Sequence, residues 1–358
     1  MSFKDVNLSF MKKLLFILAI SVLVLQGCSK PSESPDASVP TGSARPELAS
    51  YNYLVELPAH IQQALITVDN SPATNPITNN GATLGRVLFY DKNLSLNRTV
   101  SCGSCHKQAA AFDDDVALSK GFANARTTRN SMSLLNIRFY KSGRMFWDER
   151  VPTVEKQALQ PIQNPLEMGL TLTELESRVK SLTYYPDLFQ KAFGSPVIDS
   201  VRIAKALAQF ERSIVSYQSK YDKVKQGLET FTAAESRGEQ IFLTAPNPGP
   251  GGGGIACAGC HTPPMFITST PAGGFAFPLE SGINGQNRFK SGSLRNIATR
   301  KFLFHAGTIA DLNAMFTGPQ PVPAHGVPPQ DVAAMIAFLN TLTDTAITQD
   351  PKYSDPFR

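Results

Sequence analysis

Two cysteines with two residues between them and a histidine directly after the second occur twice in this sequence. Cys102, Cys105 and His106 lie in SCGSCHKQAAAF, and Cys257, Cys260 and His261 lie in CAGCH. C-x-x-C alone can hold zinc, exchange disulfides or close a small ring. The added histidine is the attachment pattern of c-type haem: both thiols bond to the haem vinyl groups and the imidazole ligates the iron from one face. Two copies predict two covalently bound haem c groups. Zinc is the competing reading, since two C-x-x-C pairs can supply four ligands. The pairs lie about 155 residues apart, however, and zinc leaves both following histidines unexplained.

The chain has five cysteines, so only Cys28 remains outside the motifs. It closes MKKLLFILAISVLVLQGC, residues 11–28, which has a basic start, an apolar run and Gly27 before the cysteine. That is a secretory signal ending in a bacterial lipoprotein box. The expectation is a signal over 1–27, a lipid on Cys28, and a mature protein on the periplasmic side of a bacterial membrane. The run is too short to span a bilayer as a helix. Residues 28–50 are rich in Ser and Pro without apolar periodicity and read as a flexible tether.

The elements that must position these groups read as helices. VRIAKALAQFERSIVSY, 201–217, sets Val201, Ala204, Leu207, Ala208, Phe210, Ile214 and Val215 on one stripe. TAAESRGEQIF, 232–242, opens with Thr232 three residues before Glu235, a capping box. PPQDVAAMIAFLNTLT, 328–343, is a third amphipathic helix. Alternating strand patterns are scarce, PNPGPGGGG at 246–254 reads as a loop, and no long repeat is evident beyond the two haem motifs. The fold class expected is mainly α, with two cytochrome-c-like helical haem domains over 51–220 and 221–358. The formal charge of +5 is spread out, and no basic block suggests nucleic acid.

Several segments resemble the bacterial dihaem cytochrome c peroxidases and their MauG-type relatives. They are LGRVLFYDKNLSLNRTVSCGSCH, Arg129–Asn130, FWDER at 146–150, QALQPIQNPLEMG at 157–169, ALAQFERSIVS, and FKSGSLRN at 289–296 followed by FHAG. The resemblance spans nearly the whole mature chain and keeps the order of the motifs. It implies a peroxide site at the first haem and arrival of electrons at the second. It places Gln157 and Glu167 at the positions of the family's distal amide and carboxylate, and Trp147, the one tryptophan, between the haems. Glu167 is the acid–base candidate, because a carboxyl can gain and lose a proton. Read without the resemblance, Glu167 is a solvated acid after Pro165 and Trp147 a packing residue. Asn130 matches a side-chain ligand of an interdomain calcium whose other ligands are waters and carbonyls, near residues 300–302 here; carbonyl oxygens suit that ion. The resemblance implies hydrogen peroxide as substrate and a small donor protein, a cytochrome c or a cupredoxin. It also allows a homodimer.

Two departures matter. Many members carry a histidine some twenty residues after the first haem motif that caps the peroxide-site iron; here no histidine lies between His106 and His261. The family's distal ligand to the second haem, a Met or Tyr, falls about fourteen residues after the FHxG histidine, near Pro319. Met315 is the nearest thioether, His325 the alternative, and Met335 sits in an apolar stripe that reads as core. Three readings follow: a peroxidase, a MauG-like oxidase acting on a protein substrate, and a dihaem electron carrier with both irons closed.

Overall fold

The computed structural model describes residues 45–66, 68–244, 256–267, 282–285, 289–318 and 327–357. Cys28 with its signal and most of its tether, the 246–254 loop, position 319 and His325 lie outside the described residues. Within them the chain forms thirteen α-helices: α1 (Ala59–Leu65), α2 (Asn79–Tyr90), α3 (Cys102–Cys105), α4 (Val154–Gln163), α5 (Leu172–Ser181), α6 (Tyr185–Phe193), α7 (Ser200–Ser213), α8 (Lys220–Lys225), α9 (Ala233–Leu243), α10 (Cys257–Cys260), α11 (Leu312–Thr317), α12 (Val332–Asn340) and α13 (Ala346–Gln349). No strand occurs among the described residues beyond isolated bridges. The mainly helical fold expected from the patterning is the fold observed.

Local chemistry sets the helix starts. Thr78 accepts from the Gly81 N–H to begin α2, and Asp199 accepts from Arg202 N–H at 2.8 Å to begin α7. Thr171 with Glu174, Ser219 with Asp222 and Thr232 with Glu235 form capping boxes at α5, α8 and α9. Each satisfies backbone donors that a helix start leaves without intrahelical partners.

Two predicted helices are shorter than their apolar patterns. α7 stops at Ser213, not Tyr217, because the following N–H groups have better acceptors. Ser216 donates to Asn136 Oδ1, and Tyr217 and Gln218 donate to the Asp344 carboxylate at 3.0 Å. α12 spans only Val332–Asn340, preceded by a single 3₁₀ turn. Val201 is a correction: it is 62% exposed, not part of the buried stripe, since it sits more than a turn before α7 meets its partner at Ala206.

A long repeat, not seen in the sequence, organises the molecule. α2 crosses α7, and α9 crosses α12. A Cβ on Gly85 would lie 2.0 Å from the Ala206 carbonyl oxygen, and one on Gly238 would lie 2.1 Å from that of Ala334. Only glycine permits backbones this close. One turn beyond each glycine, phenylalanines meet across the crossing: Phe89 on Phe210 at 5.2 Å and Phe242 on Phe338 at 5.3 Å. The loops repeat too. Asn136 and Asn296 both take positive φ (62° and 57°) and both exchange side-chain hydrogen bonds with a backbone amide, that of Ser216 or Asp344. Asparagine tolerates this backbone better than most residues. Phe146 and Phe304 follow with φ 69° and 68°, flanked by matching bridges at Met145–Val151 and Leu303–Ile309.

Each crossing centres a hydrophobic core. The first includes Phe89, Phe112, Leu135, Ile162 and Phe210; the second includes Tyr221, Phe242, Phe266, Met335 and Phe338. The C-terminal segment returns to the first core. Tyr353 is buried there, donates to the Ser213 carbonyl at 2.6 Å, and its own carbonyl accepts from Tyr90.

Candidate active site

α3 is a single turn between α2 and the loop that holds its histidine. Ser101 N–H donates to Ser104 Oγ at 2.9 Å and tightens that turn. His106 Nδ1 lies 3.2 Å from the Phe112 carbonyl oxygen, and His261 Nδ1 lies 3.0 Å from that of Gly292. A carbonyl only accepts, so each Nδ1 carries the proton and Nε2 is the basic nitrogen, the arrangement that orients a metal-binding imidazole. Burial pushes the His106 pKa down and keeps that ring neutral.

The four motif cysteines form no disulfide. Burial raises Cys105 and Cys257 to about 11 and raises Cys102 and Cys260 as well. Exchange-active C-x-x-C pairs have depressed values, so these thiols are not built for thiol–disulfide chemistry. Cys102 packs against the first core and Cys257 against the second, so the two pairs do not share a metal.

One cavity gathers most of the predicted first site. Cys102, Cys105 and His106 line it together with Gln157 and Glu167. Phe89, Leu134 and Met168 supply apolar wall, and the cavity is partly open to solvent. Its surface is mostly apolar, with polar groups at a few points, as cofactor sites are. The cavity, the two thiols and the oriented imidazole therefore fit a haem.

Glu167 reaches the cavity through an irregular turn. α4 contains Pro161, and Met168 N–H donates to the Pro161 carbonyl while Asn164 Oδ1 accepts from Leu166 N–H. Asn164 also donates to Glu167 Oε1 at 2.6 Å. Burial pushes the Glu167 pKa up, opposed by that hydrogen bond and by Arg150. Gln157 stands on α4 itself. The loop without a histidine packs onto this turn: Phe122 N–H donates to the Glu167 carbonyl at 2.9 Å, and Gly121 lies so close that a Cβ would sit 1.8 Å from Leu166 O.

Trp147 stands apart from that cavity, where segments of the two cores meet. Its Nε1 donates to the Asn130 carbonyl at 2.8 Å, its carbonyl accepts from Lys290, and its ring is edge-on to His305 at 6.3 Å. His305, at the same place in the second repeat, stacks on Phe289 at 3.7 Å and accepts from Arg129 at 2.7 Å. Asn130 is buried, its side chain donates to the Ala117 carbonyl, and its N–H donates to His305 O. Met315 is buried on α11 in the second core, which Cys257 also borders; Met335 is buried there too.

A family model described as di-haem cytochrome c peroxidase matches residues 79–230. The cytochrome c551 peroxidase of Nitrosomonas europaea is 31% identical over 287 residues, which cover 76% of this chain and 82% of that protein. The chain belongs to the di-haem cytochrome c peroxidase family. The methylamine utilization protein MauG of Methylorubrum extorquens is 30% identical, covering 68% of this chain and 69% of that one. A solved MauG-like protein associated with microbial copper homeostasis superposes with a TM-score of 0.71 at 28% identity, over 86% of this chain and all of that one. As a dihaem peroxidase the protein is an oxidoreductase acting on peroxide, with haem c as its cofactor.

Two residues of interest were not singled out from the sequence. Glu211 lines the same cavity, and His305 faces Trp147. Glu211 had a readable signal: it falls on the apolar stripe of α7, four residues after Leu207, where an acid is out of place. His305 had none beyond its motif.

Proposed function

We propose that this dihaem peroxidase reduces hydrogen peroxide to water at its first haem, using electrons that a small donor protein delivers to the second. The reaction is H2O2 + 2 e⁻ + 2 H⁺ → 2 H2O. The observation that carries this reading is the single cavity shared by Cys102, Cys105, His106, Gln157 and Glu167. Cys102, Cys105 and His106 would hold a haem here, and it would supply the electron-transferring iron. Glu167 takes a proton from the inner peroxide oxygen on its carboxyl oxygen and returns it to the outer one. Its raised pKa suits a group that must hold and release a proton. The Gln157 amide offers a donor to orient peroxide. Trp147 provides a π system on the path between the cores.

Met315 would supply a thioether to the second haem, which would raise that haem's potential relative to a second histidine. Asn130 contributes to a calcium site, and Cys28 carries a lipid that holds the protein on the periplasmic side of a membrane. Retention of one calcium per chain after gel filtration, and release of a Cys28→Ala variant from membranes, are the respective checks.

A second reading is a MauG-like oxidase that modifies a protein substrate. It is favoured by the loop between residues 107 and 129, which has no histidine to cap the first iron. Steady-state kinetics separate the two. The peroxidase reading expects two equivalents of reduced cytochrome or cupredoxin oxidised per peroxide over many turnovers, in protein whose intact mass includes two haems. Peroxide consumption with no donor able to sustain turnover would overturn it.

A further inference from the structure

Glu211 sits in the last turn of α7 with 4% of its surface exposed, yet it lines the first-haem cavity with Cys102, Gln157 and Glu167. Its Oε2 is buried without a hydrogen-bond partner among the described residues. The adjacent cation does not serve it. Arg212 donates to both Glu155 carboxylate oxygens, at 2.6 and 3.0 Å, and to Asn70 Oδ1 at 3.0 Å. Other charges on neighbouring elements are also committed: Arg86 of α2 to the Ser354 carbonyl, and Arg138 to Asp69. Tyr90 donates to Tyr353 O. The other titratable groups lining the cavity are Cys102, whose thiol feels the Glu211 charge, Cys105, His106, Glu167 and the exposed Lys120.

A carboxylate in such a place is costly, and a change of charge nearby is felt strongly. Burial pushes the Glu211 carboxyl up to about 8, opposed by Arg212 and reinforced by Glu155. Below that value the group is neutral. A ferric haem carries a net positive charge that disappears on reduction, so iron reduction makes any adjacent carboxyl bind its proton more tightly.

We propose that Glu211 compensates charge at the first haem, binding one proton from solvent when that iron accepts one electron and releasing it on reoxidation. This rests on the reading of the cavity as the first-haem site. It also gives the pocket a second proton-holding group. Glu167 shuttles a proton between the two peroxide oxygens; Glu211 holds one that arrived with the electron.

The test uses holo protein in which intact mass has first confirmed a haem on Cys102 and Cys105; its absence would defeat the functional reading itself. Spectroelectrochemical titration of the first haem between about pH 6 and pH 10 should show a midpoint that falls with rising pH, approaching one proton per electron. Glu211→Gln should abolish that dependence, Glu211→Asp should keep it with a displaced window, and Glu167→Gln should leave it in place. Redox difference infrared spectra should show a protonated-carboxyl band on reduction that is lost in Glu211→Gln. A pH-independent midpoint in the unsubstituted protein, or a dependence surviving Glu211→Gln, overturns the proposal. Should Glu211→Gln fail to take up haem, the infrared band of the unsubstituted protein and the Glu211→Asp titration decide it: no band, or an unmoved window, overturns it.

Discussion

The two repeats share their scaffold and differ in what lies between the Met145–Val151 or Leu303–Ile309 bridge and the closing helix. Both cross helices at a glycine, both hold the motif histidine by a backbone carbonyl, and both turn at an asparagine with positive φ. In the first repeat, α4, α5 and α6 then intervene before α7, and they bring Gln157 and Glu167 to the cavity wall. In the second, among the described residues, only the short α11 precedes α12, and it buries Met315 in the core. The scaffold fixes the orientation of each motif histidine. The inserted segment decides what stands near each motif: Gln157 and Glu167 at the cavity wall in one case, Met315 buried in the second core in the other. Under the proposed function, chemistry and electron relay fall to different copies of one unit.

The largest effect expected concerns the acid that only the first repeat has. Glu167→Gln keeps the size and removes the ionisable group, and turnover should fall about 100- to 10,000-fold while haem content stays at two. Near-normal turnover would mean that the inserted helices cover the cavity without serving its chemistry.

Next is Met315, on the short helix of the second repeat. Met315→Ala should convert the low-spin signal of the second haem to high-spin and lower its midpoint potential, leaving the spectrum of the first haem unchanged. An unaltered low-spin signal would remove Met315 as ligand and pass the role to another residue, His325 first among them.

The smallest effects probe what the repeats share. Gly85→Ala and Gly238→Ala each force a methyl group onto a facing backbone carbonyl, and each should cost at least about 1–3 kcal/mol, the usual range for overpacking. Thermal or denaturant unfolding measures this. If only one glycine is sensitive, the two crossings are not equivalent, and the comparison loses its footing.

The helical class and both haem motifs were legible because they are local: capping boxes, a 3.6-residue period, and five residues that carry their own chemistry. The repeat was not, because its conserved content is geometric. Gly85 and Phe89 match Gly238 and Phe242 in spacing, but the residues between them differ, and nothing in the sequence says that a glycine faces a carbonyl on another helix. The helix ends were misread for a similar reason. Ile214 and Val215 continue the apolar pattern of α7, yet Asp344, more than a hundred residues away, claims the following N–H groups. Glu211 shows the converse: an acid on an apolar stripe was visible, but its meaning needed the cavity.

The contrast between an open first site and a closed second one is tested most directly by the oxidised protein itself, before and after addition of stoichiometric peroxide. With no histidine between 107 and 129 to cap the first iron, the oxidised spectrum should contain a high-spin component beside a low-spin one, and peroxide should react at once without prior reduction. An oxidised protein that is wholly low-spin and inert to peroxide until half-reduced would contradict the account.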